Sequence, residues 1–174
     1  MAMTIQQVKL THFAVVSTAA AKARDKHYQT FSDSTRHHIY TLGFWMTGNE
    51  LAAEELLRDT VRRALAKSGS LSREVLDGAL VCELRERMPL GGLTLEEAVC
   101  GQVVNLRRNP LRVHLEQAVV RLPPTERLVF LLHDVEGYEH GRIARMLGLS
   151  EDESRYGLHQ ARLRLRQLLA KLIG

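Results

Sequence analysis

The sequence predicts an all-α protein: two small helical domains joined by a linker, with a helix-turn-helix in the C-terminal one. Three observations carry that expectation. No segment alternates apolar and polar residues with the period of two that a half-buried strand needs. Nine aromatic residues among 174 are too few for a sandwich or barrel built on aromatic cross-strand pairs. All four prolines, Pro89, Pro110, Pro123 and Pro124, lie beyond residue 88, so the first half is free of the strongest helix breaker.

The elements follow in order. From about Ala23 to Met46, the residues Tyr28, Phe31, Thr35, Ile39, Leu42 and Met46 recur at steps of three or four, which makes one buried helical stripe. Thr47-Gly48-Asn49 stops that helix, and Asn49 is placed to cap the next. The second helix, Glu50 to about Lys67, is expected to bury Leu51, Leu57, Val61 and Leu65 and to expose Glu54, Glu55, Arg58, Asp59 and Arg62. Ser68-Gly69-Ser70 ends it, and a third helix runs from about Ser72 to Met88. Pro89, Gly91 and Gly92 form the clearest break in the chain. A capping box of Thr94 and Glu97 opens a partly helical connector that reaches residue 111. Pro123-Pro124-Thr125-Glu126 starts a helix closed by Glu136-Gly137. A short helix, His140 to Leu147, then leads through Gly148-Leu149-Ser150 into a long last helix. A short helix, a tight glycine turn and a second helix make the helix-turn-helix.

Composition narrows the function classes. The chain is 45% hydrophobic and 25% charged, values of a soluble globular protein rather than a disordered one. No run approaches the roughly eighteen apolar residues that a membrane span needs, and no secretory signal opens the sequence. Membrane insertion is therefore not expected. Cys82 and Cys100 form neither a metal spacing nor a disulfide framework, which fits a reducing cytoplasm; both are expected to be structural. His37 and His38 adjoin on one helix, so one should pack and the other face solvent. No phosphate loop, nucleophile motif or metal cluster occurs, so neither an enzyme nor a bound cofactor is expected. The net charge of +4 admits an anionic partner. It divides evenly, with twelve Lys/Arg against ten Asp/Glu in residues 1–90 and the same in residues 91–174. Nucleic-acid binding must then come from local placement of charge.

The run 122–169 carries LPP-x-E-R, Val129-Phe130-Leu131-Leu132, Val135-Glu136-Gly137, Ile143-Ala144, Leu147-Gly148-Leu149-Ser150 and Leu158-His159-x-Ala161-Arg162. In that order these features resemble the promoter-binding C-terminal domain of bacterial sigma factors, in particular the small extracytoplasmic-function group. Tyr40-Thr41-Leu42, Met46 to Asn49, Ala53 to Leu56 and Asp59-Thr60-Val61 resemble the core-polymerase-binding helices of the same group. The resemblance implies an N-terminal extension (1–24), a region-2-like helical domain (25–88), a linker (89–111) and a region-4-like helix-turn-helix domain (112–174). It also implies an alternative sigma factor whose partners are core RNA polymerase, promoter DNA and an anti-sigma factor. The first domain would dock on polymerase and capture the melted promoter element, while the second would read the upstream element.

Residues near the start of a recognition helix enter the major groove. The candidate DNA-binding residues are accordingly Arg142, Ser154, Arg155, Tyr156, His159, Gln160 and Arg162, with Arg155 as the natural base-edge donor. Arg164 and Arg166 suit phosphate contact or plain solubility. Glu55, Arg58, Asp59 and Arg62 are the candidate polymerase- or anti-sigma-binding residues. Three features pull the other way. Glu151, Asp152 and Glu153 place acids beside the expected phosphates, although Ser150 with Glu153 forms a capping box and carboxylates suit a helix N-terminus. Gly157 interrupts the last helix at a cost of about 1 kcal/mol relative to alanine, and would admit a close backbone approach. Residues 68–90 contain no aromatic residue, whereas single-strand capture uses flat stacking platforms. Two further readings stay open: a sigma-like decoy that titrates an anti-sigma factor or polymerase, and a plain helix-turn-helix regulator.

Overall fold

The structure, a computed structural model, describes residues 33–93 and 111–173. Every regular element among them is helical, so the chain is all-α. From His37 onward these residues belong to one compact unit. The connector from residue 94 to 110, with its expected capping box and Cys100, lies outside the described residues, as does the extension 1–24.

Helix α1 spans Asp33–Thr47 and buries His38, Ile39, Leu42 and Met46, the last three being the expected stripe. His37 faces solvent while His38 packs, as expected for this pair. Helix α2, Glu50–Ser68, begins at Asn49, whose side chain accepts the Ala52 N–H at 3.1 Å. Its core face is Ala53, Leu56, Thr60, Val61 and Ala64, which keeps Val61 of the expected set and corrects the rest. Leu51 is 65% exposed, and Leu57 and Leu65 are only half-buried. The physical reason lies in α1. A Cβ on Gly43 would stand 3.1 Å from Leu56 Cδ2 and 3.4 Å from Ala53 Cα. The two helices approach through glycine and alanine, so the small-residue face turns inward and rotates Leu51 out.

Helix α3, Arg73–Arg87, packs on α2. It buries Leu76, Leu80 and Leu84 and, less usually, Asp77 and Glu83. Cys82 is an exposed free thiol and not the packed residue expected, because the leucine face of α3 runs on the other side.

The C-terminal half holds α4 (Arg112–Val120), α5 (Pro124–Phe130), a π-helical turn (Leu131–Val135), α6 (His140–Leu147) and α7 (Glu151–Ile173). Proline at the first position of α5 loses nothing, since a first-turn N–H has no intrahelical partner. Helix α7 is the central strut, packed by α4, α5 and α6. Leu128, Leu131, Leu132, Ile143, Leu158 and Leu165 meet in that core, and each fully buried leucine contributes roughly 1.5–3 kcal/mol. Gly157 is also explained. A Cβ there would lie 2.6 Å from Leu93 Cδ2, so the glycine admits the segment that follows α3 onto the surface of α7.

Arg127 ties the two halves. It is 8% exposed and donates to the carbonyls of Val120, the last residue of α4, and of Leu122 just beyond it, and to the Met46 carbonyl near the end of α1. Carbonyls at helix C-termini carry partial negative charge, which is how a guanidinium is held here among oxygen dipoles. Burial pulls its pKa below the ordinary arginine value.

Candidate nucleic-acid interface

The turn between α6 and α7 is built by local chemistry. Gly148 adopts φ +70°, a left-handed conformation that glycine takes without steric cost. The Leu149 N–H closes the turn onto the Ala144 carbonyl at 2.9 Å. Helix α7 opens with the expected capping box. The Glu153 N–H donates to Ser150 Oγ at 3.1 Å, and Glu153 Oε2 accepts the Ser150 N–H at 2.7 Å. Those hydrogen bonds hold the Glu153 carboxyl below its ordinary pKa.

Period 3.6 sorts the candidate residues by face. Arg155, Tyr156, His159 and Arg162 are exposed along α7. Ser154 and Gln160 are buried, at 0% and 3% exposure. Ser154 Oγ meets His140 Nδ1 at 2.9 Å, and the His140 ring stacks on His133 with centroids 4.4 Å apart. Ser154 thereby anchors α7 to the start of α6. Desolvation and the neighbouring charges of His133 and Arg155 lower the His140 pKa.

The exposed arginines do not stand alone. Arg155 reaches Glu151 at 3.0 Å and Asp152 at 3.1 Å. Arg162 forks onto Asp134, with Nε–Oδ2 at 2.9 Å and Nη2–Oδ1 at 2.6 Å. The π-helical turn supplies Asp134. Burial pushes its carboxyl up, but the hydrogen bonds from Arg162 and His133 outweigh that and leave its pKa lowered. The Arg155 pairs, more than half exposed on both partners, contribute little to stability, whereas Asp134 is only 22% exposed beside Arg162. Arg142 sits elsewhere: its Nη2 donates to Asp77 Oδ2 of α3 at 2.7 Å.

On α2, Glu55 and Arg58 are exposed. Asp59 accepts from both Arg62 and Arg87, and Arg63 joins Glu83 and Glu86. One face of α2 is thus laced to α3, while Glu55 and Arg58 remain on the outer face.

A second cluster escaped the sequence reading. Asp77, 2% exposed, accepts from Tyr138 Oη at 2.8 Å and from Arg142 at 2.7 Å, and meets His38 Nε2 at 3.3 Å. Arg73 donates to Tyr138 Oη at 2.7 Å and to Glu136 at 3.2 Å, and His38 Nδ1 meets that same Glu136. The guanidinium of Arg142 lies 4.1 Å from the Tyr138 ring centroid, within cation–π range. Six side chains from α1, α3, α6 and the segment before α6 converge there. Asp77 among the buried leucines of α3, and Tyr138 beside Glu136-Gly137, offered the signal in the sequence. Among the described residues no group of three or more His, Cys, Asp or Glu is placed to hold a metal, and no helix is long and apolar enough to cross a membrane.

The family profile of sigma-70, region 4 matches residues 112–165, the span from the start of α4 into the second half of α7. Over that span the C-terminal helices are similar to sigma-70 region 4. The resemblance read from residues 122–169 is therefore borne out at its strongest point. No curated protein matches the chain. Among solved structures it is similar to the sigma factor RpoE of Bartonella quintana, in its co-crystal structure with the anti-sigma factor NepR. The TM-score is 0.58 at 19% identity, covering 78% of this chain and 92% of that one. A likeness of that extent reaches beyond the sigma region 4 domain into α1–α3, and shows a sigma-factor fold.

Proposed function

We propose that the chain is an alternative sigma factor of the extracytoplasmic-function type, which binds core RNA polymerase and directs it to specific promoters. The observation that carries this reading is the sigma region 4 domain on a fold shared along most of the chain with RpoE. In this reading the N-terminal turns of α7 enter the major groove of the upstream promoter element. Arg155, Tyr156 and His159 face the bases or the adjoining backbone, and Arg162 reaches a phosphate after leaving Asp134. Arg142 on α6 lies where the first helix of such a motif crosses the DNA backbone. Glu55 and Arg58 on the open face of α2, flanked by Asp59 and Arg62, would meet polymerase. An anti-sigma factor is the corresponding regulatory partner, and its binding would compete with polymerase for the same helices.

The test is association. Size-exclusion chromatography with core RNA polymerase should shift the chain into the polymerase peak. Substituting Glu55 and Arg58 together by alanine should return it to the free position. A chain that never co-elutes with core polymerase at low salt would leave the sigma-factor reading without support.

A further inference from the structure

Two histidines of the C-terminal half stand outside the set of candidate DNA contacts. His133 on the π-helical turn and His140 at the start of α6 stack with centroids 4.4 Å apart and planes 27° from parallel. Each ring has its own partner. His133 Nδ1 meets Asp134 Oδ1 at 3.0 Å, and Asp134 in turn holds Arg162 of α7. His140 Nδ1 meets the buried Ser154 Oγ at 2.9 Å. His140 also lines an open cleft with Glu139 before α6, Arg142 and Arg145 of α6, and Glu151 and Arg155 of α7. Three arginines against two carboxylates leave that cleft with an excess of positive charge.

We propose that the His133–His140 pair takes up a proton when DNA binds, so that duplex affinity rises as pH falls through the histidine range. The proposal rests on the DNA-reading role of the helix-turn-helix. The first helix of this motif crosses the phosphate backbone, which brings phosphates to the cleft at the start of α6. In the free chain, desolvation and then the charges of His133 and Arg155 hold the His140 pKa down, while Glu139 and Glu151 oppose them. A neutral His140 ring is therefore the resting state at about pH 7. A phosphate in the cleft changes that balance. It answers the charge of Arg155 and sets an anion beside the ring, which favours the protonated imidazole. The proton comes from solvent. The charged ring donates from both nitrogens, and Ser154 Oγ can accept from Nδ1, so the tie to α7 survives. Charges on rings this close oppose each other, so the pair takes one proton before a second. The complex then binds more protons than the free chain, and lower pH favours it.

Fluorescence anisotropy of the full chain with a labelled mixed-sequence duplex at low salt tests the coupling. Affinity is expected to rise about tenfold from about pH 7.5 to about pH 6, within the limit of about tenfold per pH unit for one proton. His140→Asn keeps a hydrogen-bonding group near Ser154 without an imidazole, and should flatten the rise to less than about twofold. His159, another exposed imidazole on α7, is the control, and His159→Asn should keep the rise. A rise that survives His140→Asn, or that His159→Asn abolishes, overturns the proposal. If His140→Asn does not fold, the wild-type chain decides. Titration calorimetry in buffers of different ionisation heat should show net proton uptake on binding at about pH 6.5, and NMR of the rings should place it on His133 or His140. No uptake, or uptake confined to His159, overturns the proposal. Equal binding across the pH range overturns the coupling and leaves the DNA-reading role standing, whereas no duplex binding at any pH overturns both.

Discussion

Arg155→Ala is expected to reduce discrimination between a cognate upstream element and a scrambled one by roughly 1–3 kcal/mol, the worth of one good base-edge contact. Fluorescence anisotropy with the two duplexes measures it; an equal loss on both would make Arg155 a phosphate contact only. Gly157 carries a second consequence. Its Cβ position is occupied by Leu93, so the helix-propensity gain of alanine, about 1 kcal/mol, should emerge only once Leu93 is shortened. Gly157→Ala is expected to stabilise a Leu93→Ala protein by about that amount in urea unfolding, and the wild type by clearly less. At this scale the sequence was informative where a residue's role is set by its own helix. Asn49, Ser150 with Glu153, and the outward face of Arg155 all follow from local spacing. Ser154 and Gln160 show the boundary of that logic. Glu153, Arg155 and His159 beside them face outward, but each residue lies close to 100° around the helix from the next. Which side meets α6 depends on packing that the sequence alone does not display.

Among the elements, α2 and α5 are the most instructive. The stripe of α2 was expected on Leu51, Leu57, Val61 and Leu65, yet the tight crossing at Gly43 turns Ala53 and Leu56 inward. Hydrophobic periodicity marks a helix well, but the nearest small residue on a partner decides which way it rolls. Helix α5 was legible as a helix from Pro124 onward; the task of its Arg127 was not, because the carbonyls it satisfies come from α1 and from the end of α4. Arg127→Met keeps the aliphatic stem and removes the donors. Leaving buried carbonyls unpaired costs about 1–3 kcal/mol each, so a loss of about 3 kcal/mol is expected from the urea midpoint. A change below about 0.5 kcal/mol, the usual range for surface substitutions, would mean that water replaces the guanidinium freely.

For the whole molecule, the Asp77 cluster makes stability depend on pH. Burial pushes the Asp77 carboxyl up, but hydrogen bonds from His38 and Tyr138, with the charges of His38 and Arg142, hold its folded pKa below the ordinary 3.8. A depressed folded pKa gives stabilisation that is fully present above the unfolded value and lost as pH falls through the folded one. Unfolding midpoints should therefore be steady down to about pH 5 and drop below about pH 4, with a smaller drop in Asp77→Asn. An identical drop in the two proteins would show that other carboxylates, Asp134 among them, govern the acid limb. The all-helical class was readable from the helical period and from the lack of strand-like alternation. The closure of one half on the other was not, since it depends on side chains 60 to 100 positions apart, such as Asp77 with Tyr138 and His38 with Glu136. The central claim is that this fold directs transcription, and run-off transcription with core RNA polymerase on a pool of promoter fragments tests it most directly. Transcripts are expected from a defined subset of fragments and should be lost with Arg155→Ala. A chain that binds core polymerase yet yields no transcript from any fragment would contradict that claim.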